Sequence, residues 1–208
     1  MKPRPPKKPS HRHKPQQVRI IGGLWKRSSL PVAEVDGLRP TPDRVRETVF
    51  NWIGHLIGGN WQGIAALDLF AGTGALGFEA ASRGAARSVL VETSPAALRQ
   101  LDATREKLRA TQVTITRGDA LSIAQRLAAN GEKFDLVFLD PPYQQDWLQR
   151  ALPVCLPLLK EGGIVYTESA TPLDRFEAQD MPEWLAGWQI VRADRAGMVF
   201  YYLLKRKN

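Results

Sequence analysis

A carboxylate, two ring-locked prolines and an aromatic follow one another at Asp140-Pro141-Pro142-Tyr143, directly after the apolar run Phe134–Leu139. A buried strand that ends this way can hold a planar group bearing an amine. The Asp140 carboxylate and the Pro141 carbonyl offer two acceptors for the two N–H groups of an exocyclic amine. Pro142 biases Pro141 away from helical geometry, and neither proline carries an N–H that would compete. Tyr143 adds a face on which a base can stack, worth roughly 1–3 kcal/mol. The matching chemistry is transfer of an activated methyl group to an amine nitrogen, which rests on alignment and charge stabilisation more than on acid–base power. A base held in a helix would have to be flipped out to reach such a pocket. The bland alternative is a rigid strand-to-helix turn.

A second strand end, Asp68-Leu69-Phe70-Ala71-Gly72-Thr73-Gly74-Ala75-Leu76-Gly77, offers a place for the methyl donor. Its glycine spacing permits a tight turn and close backbone approach, and a following helix favours negative charge at its N-terminus. Glu92 ends the next strand, 20 positions after Gly72, where a carboxylate can bind two ribose hydroxyls. These features suit NAD as well as S-adenosylmethionine, and glycine spacing alone also describes plain strand–helix turns. Two residues favour S-adenosylmethionine. Asp68 places beside the glycines a carboxylate that suits an ammonium and repels a pyrophosphate. Asp119, in Gly118-Asp119-Ala120, can accept a hydrogen bond from an adenine amine, or simply cap the helix that begins there.

Groups on separate strand ends meet only if the strands run parallel, with helices between them. From residue 64 onward the pattern alternates accordingly: strands over 64–70, 88–92, 113–116, 134–140 and 163–168, helices over 74–83, 95–110, 120–130 and 145–159. Such alternation calls for an α/β fold with a parallel sheet covered on both faces, and ligands then lie beyond the carboxyl ends of the strands. The runs 188–193 and 198–205, joined by Asp194-Arg195-Ala196-Gly197, read as an antiparallel hairpin. Ahead of the sheet, 18–21 and 24–26 with a Gly22-Gly23 break read as a small β element. Thr41-Pro42 reads as N-cap and first helical residue. The helix would present Val45, Thr48, Val49, Trp52 and Ile53 as its apolar face, with Arg44, Arg46 and Glu47 on the others.

At 208 residues and 43% hydrophobic content the chain suits one α/β domain with a proper core. The net charge of +8 is unevenly placed. Residues 1–27 hold nine of the 29 basic side chains and no acidic one, leaving 20 basic against 21 acidic in the rest. A basic arm of this kind suits attachment to phosphates; a solvated tail is the other reading. Residues 1–17 carry five of the 15 prolines and are expected to be disordered. No run is apolar enough to span a bilayer and no apolar segment follows the basic start, so a soluble, cytoplasmic protein is expected. The single Cys155 excludes an internal disulfide and belongs to an apolar helix face. His11, His13 and His55 lack metal-ligand spacing, and no metal is expected.

Two further stretches narrow the reading: Arg19-Ile20-Ile21-Gly22-Gly23-x-Trp25 and Leu38-Arg39-Pro40-Thr41-Pro42-Asp43-Arg44-Val45-Arg46-Glu47-Thr48-Val49-Phe50-Asn51-Trp52. With the strand-end motifs, residues 18–205 resemble the bacterial RsmD family of class I S-adenosylmethionine-dependent methyltransferases, which methylate N2 of a guanine in 16S ribosomal RNA. The resemblance implies a Rossmann-like, seven-stranded mixed sheet with helices on both faces and a small N-terminal β element. It places Asp68, Phe70, Ala71, Gly72, Gly74, Gly77 and Glu92 at the cofactor, with Asp119 and Ala120 at its adenine. Thr41, Arg44 and Asn51 would close the methionine side, and Asp140, Pro141, Pro142 and Tyr143 would hold the guanine. Arg19, Lys26, Arg27 and Arg39 would contact RNA. The implied partner is 16S rRNA or the assembling small subunit, met by a monomer with no membrane or metal. The chain then divides into a tail (1–17), a β-hairpin extension (18–40) and the methyltransferase domain (41–208). A DNA adenine-N6 or protein glutamine methyltransferase uses a similar strand end. An NAD-dependent oxidoreductase and a non-catalytic RNA-binding assembly factor are the readings from other classes.

Overall fold

A computed structural model describes residues 17–32, 41–141, 147–177 and 180–207. Strands β1 (Gln17–Arg19) and β2 (Ser29–Pro31) form an antiparallel pair of their own. There follow α1 (Asp43–Leu56), β3 (Ala65–Asp68), α2 (Ala75–Arg83), β4 (Arg87–Glu92), α3 (Pro95–Leu108), β5 (Val113–Arg117), α4 (Ala120–Ala129) and β6 (Phe134–Leu139). The chain closes with α5 (Trp147–Cys155), β7 (Leu159–Ser169), α6 (Glu183–Ala186), β8 (Trp188–Ala196) and β9 (Val199–Arg206). The main sheet has seven strands in the order β5-β4-β3-β6-β7-β9-β8, parallel from β5 to β7 and antiparallel at β9. Its winding reverses between β3 and β6, which opens a crevice at their carboxyl ends.

Period-2 alternation sends Leu136 and Phe138 to one face of the sheet and Val137 and Leu139 to the other. The first pair packs with Val49 and Phe50 of α1 and Leu76 of α2. The second packs with Ile123 of α4, Leu152 of α5 and Leu185 of α6. Burial on both faces accounts for the unbroken apolar run, and each large side chain so buried contributes about 1.5–3 kcal/mol. Cys155 is fully buried in the second layer and burial pushes its thiol pKa upward, which agrees with a packing role.

Several local expectations are corrected. Residues 24–26 form a turn, and the partner of the first strand is Ser29–Pro31. Strand pairing in the last hairpin continues through Ala196↔Val199, so the turn is Gly197-Met198, with Gly197 at φ 63°. Helix α5 stops at Cys155 and gives way to a 3-10 turn over Leu156–Leu158. Strand β7 begins four residues early, because Leu159 pairs with Phe134 before a bulge that resumes at Leu136↔Ile164. The expected disorder of the tail falls largely on residues 1–16, which lie outside the described residues, as do 33–40 of the extension.

The N-terminal pair is fastened to α2 by a buried carboxylate. Glu79, with no exposed side chain, accepts the backbone N–H groups of Ile21 (2.6 Å) and Gly22 (2.9 Å) and pairs with Arg83 at 2.7 Å. Ser82 completes the joint, accepting the Trp25 N–H and donating to the Gly22 carbonyl. Gly23 is required here: at φ 74° its Cβ would sit 1.9 Å from the Ser82 carbonyl oxygen. Removing one partner of a buried pair commonly costs about 3–5 kcal/mol. Glu79→Ala is therefore expected to lower stability on that order in chemical denaturation; a loss under about 1 kcal/mol, typical of an exposed pair, would refute the joint.

Candidate active site

The loop after β3 wraps around two carboxylates. Asp68 is buried, its Oδ2 accepting the Gly77 N–H at 3.0 Å. Its Oδ1 is also buried and has no hydrogen-bond partner among the described residues. Burial lifts the Asp68 pKa to about 7, the nearby backbone N–H groups of Gly77 and Phe70 opposing in part and the charge of Glu92 adding to the rise. Glu92, at the end of the neighbouring β4, accepts the N–H groups of Gly72 (2.8 Å), Thr93 (2.7 Å) and Ser94 (2.8 Å). It thereby ties the glycine loop to the next strand end. Gly72 and Gly74 have φ of 51° and 77°, a region strained for any side chain.

One strand further, a hydroxyl bridges two carboxylates. The register Leu139↔Thr167 brings Asp140 and Glu168 side by side beyond β6 and on β7. Thr41 Oγ1 lies 3.1 Å from Asp140 Oδ2 and 2.9 Å from Glu168 Oε1. The Tyr166 hydroxyl donates to the same Glu168 oxygen at 2.6 Å. Thr41 is in turn held from behind, where the fully buried Arg46 donates from Nε to its carbonyl and pairs with Asp43 at 2.6 Å. Burial and the charge of Glu168 push the Asp140 pKa well above the usual carboxylate range, while the Thr41 bond pulls it down.

Thr41 is therefore not the N-cap of α1. Pro42 occupies that position without a side-chain cap bond, and the Thr41 hydroxyl turns to the strand ends instead. Arg46, expected off the apolar face, is buried at the top of the helix, where the Thr41 carbonyl takes its Nε and Asp43 its Nη2, while Nη1 meets no partner among the described residues. The covered face of α1 is Val45, Arg46, Val49, Phe50 and Ile53, with Trp52 half-buried against Tyr201.

The remaining predicted residues divide into those gathered at the crevice and those left away from it. Asp68, Gly72, Gly74, Glu92, Thr41 and Asp140 converge there, with Phe70 partly exposed and Ala71 buried beside them. Gly77 is buried under the helix, where a Cβ would meet Leu90 at 2.5 Å, so it serves packing and the Asp68 bond and not a ligand surface. Asp119 is exposed at the N-cap of α4, its Oδ1 accepting both the backbone N–H and the hydroxyl of Ser122. These bonds hold its pKa below the usual range, and Ala120 is buried behind it. Arg44 lies with Asp194 and Tyr201 in a cavity of about 310 Å³ beside the last hairpin. Asn51 is exposed two turns further along α1, and neither residue is brought to the glycine loop. Arg19 is exposed and paired with Asp43 at 3.1 Å. Lys26 and Arg27 are exposed on the turn beside Leu24. Pro142, Tyr143 and Arg39 lie outside the described residues.

Glu168, Tyr166 and Arg46 were not anticipated. Glu168 ends a strand as Asp68, Glu92 and Asp140 do, and that shared position is the signal that could have found it. The set suits S-adenosylmethionine by its own chemistry. A buried, unpartnered carboxylate oxygen answers an ammonium, and a half-exposed carboxylate at the next strand end answers ribose hydroxyls. No group of histidine, cysteine and carboxylate side chains that could hold a metal occurs among the described residues. No helix among them is long and apolar enough to cross a membrane.

Comparison with known proteins identifies the family and the fold. Residues 18–205 match the family model described as conserved hypothetical protein 95. The chain is 38% identical to ribosomal RNA small subunit methyltransferase D of Escherichia coli K12, over 97% of this chain and 96% of that protein. The protein of the same name from Haemophilus influenzae is 34% identical, over 90% of this chain and 93% of its own length. The solved structure of the Escherichia coli yhhF protein superposes with a TM-score of 0.74 at 37% identity, covering 92% of this chain and 99% of that one.

Proposed function

The chain belongs to the family described as conserved hypothetical protein 95, and from that premise we propose that it transfers a methyl group from S-adenosylmethionine to the exocyclic N2 amine of a guanine in 16S ribosomal RNA. Near full-length relatives named as small-subunit ribosomal RNA methyltransferases support the reaction and its substrate. The single observation that carries the reading is the pairing of two strand ends at the crevice. Asp68, with a buried unpartnered oxygen, stands on β3, and Asp140, bridged by Thr41, follows the adjacent β6. A donor held at the first is thereby brought against an amine held at the second. A dinucleotide reading is disfavoured, because Asp68 would repel a pyrophosphate beside the glycine loop.

When bound, S-adenosylmethionine supplies an activated methyl group on a sulfonium. Asp68 would hold its ammonium, Glu92 its ribose and Asp119 its adenine. Asp140 and the Pro141 carbonyl accept the two N–H groups of the target amine, turning its lone pair out of conjugation with the base. The Asp140 carboxylate stabilises the positive charge that grows on nitrogen and takes the proton that nitrogen sheds. Positioning and a preorganised field carry such a step. The guanine would be presented flipped out of its helix, where Tyr143 gives it a stacking face. Lys26, Arg27 and Arg19, exposed on the N-terminal element, would meet the phosphate backbone, and Arg39 is assigned the same role by the family resemblance.

The direct test incubates the protein with labelled S-adenosylmethionine and small ribosomal subunits from cells lacking the enzyme, followed by nucleoside analysis. N2-methylguanosine is the expected product. Label in another nucleoside, or only in DNA or protein amides, would overturn the substrate assignment.

A further inference from the structure

We propose that Glu168 is a positioning residue for the reaction: through the bridging Thr41 hydroxyl it shares one proton with Asp140, and so sets the pH at which Asp140 becomes the charged acceptor of the amine. This rests on the reading of Asp140 as that acceptor.

The geometry leaves little choice. A threonine hydroxyl has one hydrogen to donate, yet Thr41 Oγ1 stands at 3.1 Å from one carboxylate and 2.9 Å from the other. Both contacts are favourable when one carboxyl keeps its proton and donates it to Thr41, whose own hydrogen goes to the second carboxylate. A buried carboxylate and a half-buried one that meet at the same hydroxyl do not readily ionise together. Glu168 is the better stabilised anion, since the Tyr166 hydroxyl also donates to it at 2.6 Å. The shared proton then rests on Asp140. The groups facing the pair are Asp68 from β3, which adds repulsion, Tyr166 from β7, and Arg46 from α1, whose cation lies behind Thr41. The buried, unpartnered Oδ1 of Asp68 is a separate sign that the site is shaped to receive positive charge.

In the transfer itself the N–C bond forms as the S–C bond breaks, and the nitrogen gives one proton to the Asp140 carboxylate. The charged form of Asp140 is therefore the productive one, and the rate should rise as pH passes its ionisation.

Single-turnover methyl transfer measured across pH for the wild type, Glu168→Gln, Thr41→Val and Thr41→Ser tests this. Glu168→Gln removes the opposing charge, so its acid limb is expected to move to lower pH by about one unit, a tenfold higher fraction of the plateau rate at a fixed pH on the limb. The KM for S-adenosylmethionine should stay within about twofold, since the effect lies in Asp140 ionisation (a shift of one unit is tenfold). Thr41→Val, a second and independent variant, removes the bridge, so the limb should leave its wild-type position, and Thr41→Ser, which keeps the hydroxyl, should restore it. Acid limbs that superimpose, or one uniform loss at every pH, would reduce Glu168 to a structural role. A wild type that forms no N2-methylguanosine at any pH would instead overturn the underlying reading of Asp140.

Discussion

Asp140→Asn is expected to lower the rate of methyl transfer by about 100- to 1,000-fold, the range found when one preorganised group of an electrostatic site is removed. The amide keeps the size of the side chain and one acceptor oxygen. It cannot carry the negative charge that the nitrogen needs as it becomes cationic, and it cannot take the proton. Stability should not suffer. The Asp140 pKa in the folded protein is raised above its ordinary value by burial and by Glu168. A group whose folded pKa is raised binds more protons folded than unfolded, so its contribution falls as pH rises above the unfolded value. At neutral pH the asparagine variant should melt at or above the wild-type temperature, with affinity for S-adenosylmethionine little changed. Retained turnover in a folded variant would remove Asp140 from the chemistry.

Asp68→Asn should separate binding from stability in the same way, with the larger effect on binding. Its carboxyl is buried and its pKa is raised from 3.8 to about 7. At 1.36 kcal/mol per unit, that shift is a stability loss on the order of 4 kcal/mol, absent below about pH 4 and complete above about pH 7. Asparagine keeps an acceptor for the Gly77 N–H without the charge, so the ligand-free variant should be more stable than the wild type at pH 8 and equal to it near pH 4. A cationic ligand group pairs only with the ionised carboxylate. Affinity of the wild type for S-adenosylmethionine should therefore rise with pH, up to about tenfold per unit, and level off above about pH 7. Binding below that point should release a proton. In the variant the affinity should fall by about 100-fold or more, as expected when a buried charge loses its partner, and the pH dependence should flatten. Calorimetry in buffers of different ionisation enthalpy measures both quantities. Equal affinity in the two proteins would remove the ammonium from Asp68.

Much of this site was legible because its determinants are local. A strand buried on both faces must be apolar throughout, so Phe134–Leu139 announced itself, and a carboxylate after such a run stands out. Glycines at Gly72 and Gly74 mark backbone that must adopt positive φ, a demand set within the loop. Alternating helical and strand periods required a parallel sheet, and parallel strands carry their ends to one side. The family resemblance added the substrate, which no spacing of four residues encodes.

What stayed hidden was decided by contacts distant in sequence. Thr41 before a proline has the local form of an N-cap, and only the fold brings it to Asp140 and Glu168, 99 and 127 residues away. Glu79 and Arg46 look like the polar faces of helices, since helical period says nothing about a second layer that will cover them. The loop that joins β1 to β2 covers the first, and Asp43 with the turn before α1 covers the second. Arg44 and Asn51 sit in the same motif as Thr41 but one or more helical turns along, which is enough to carry them away from the crevice. The strand ends, the glycine loop and the sheet type were readable residue by residue, because dihedral preference and side-chain period act over a few residues. Which carboxylates face one another was set by long-range packing, because a carboxylate's partner and its pKa depend on what the fold brings within about 3 Å.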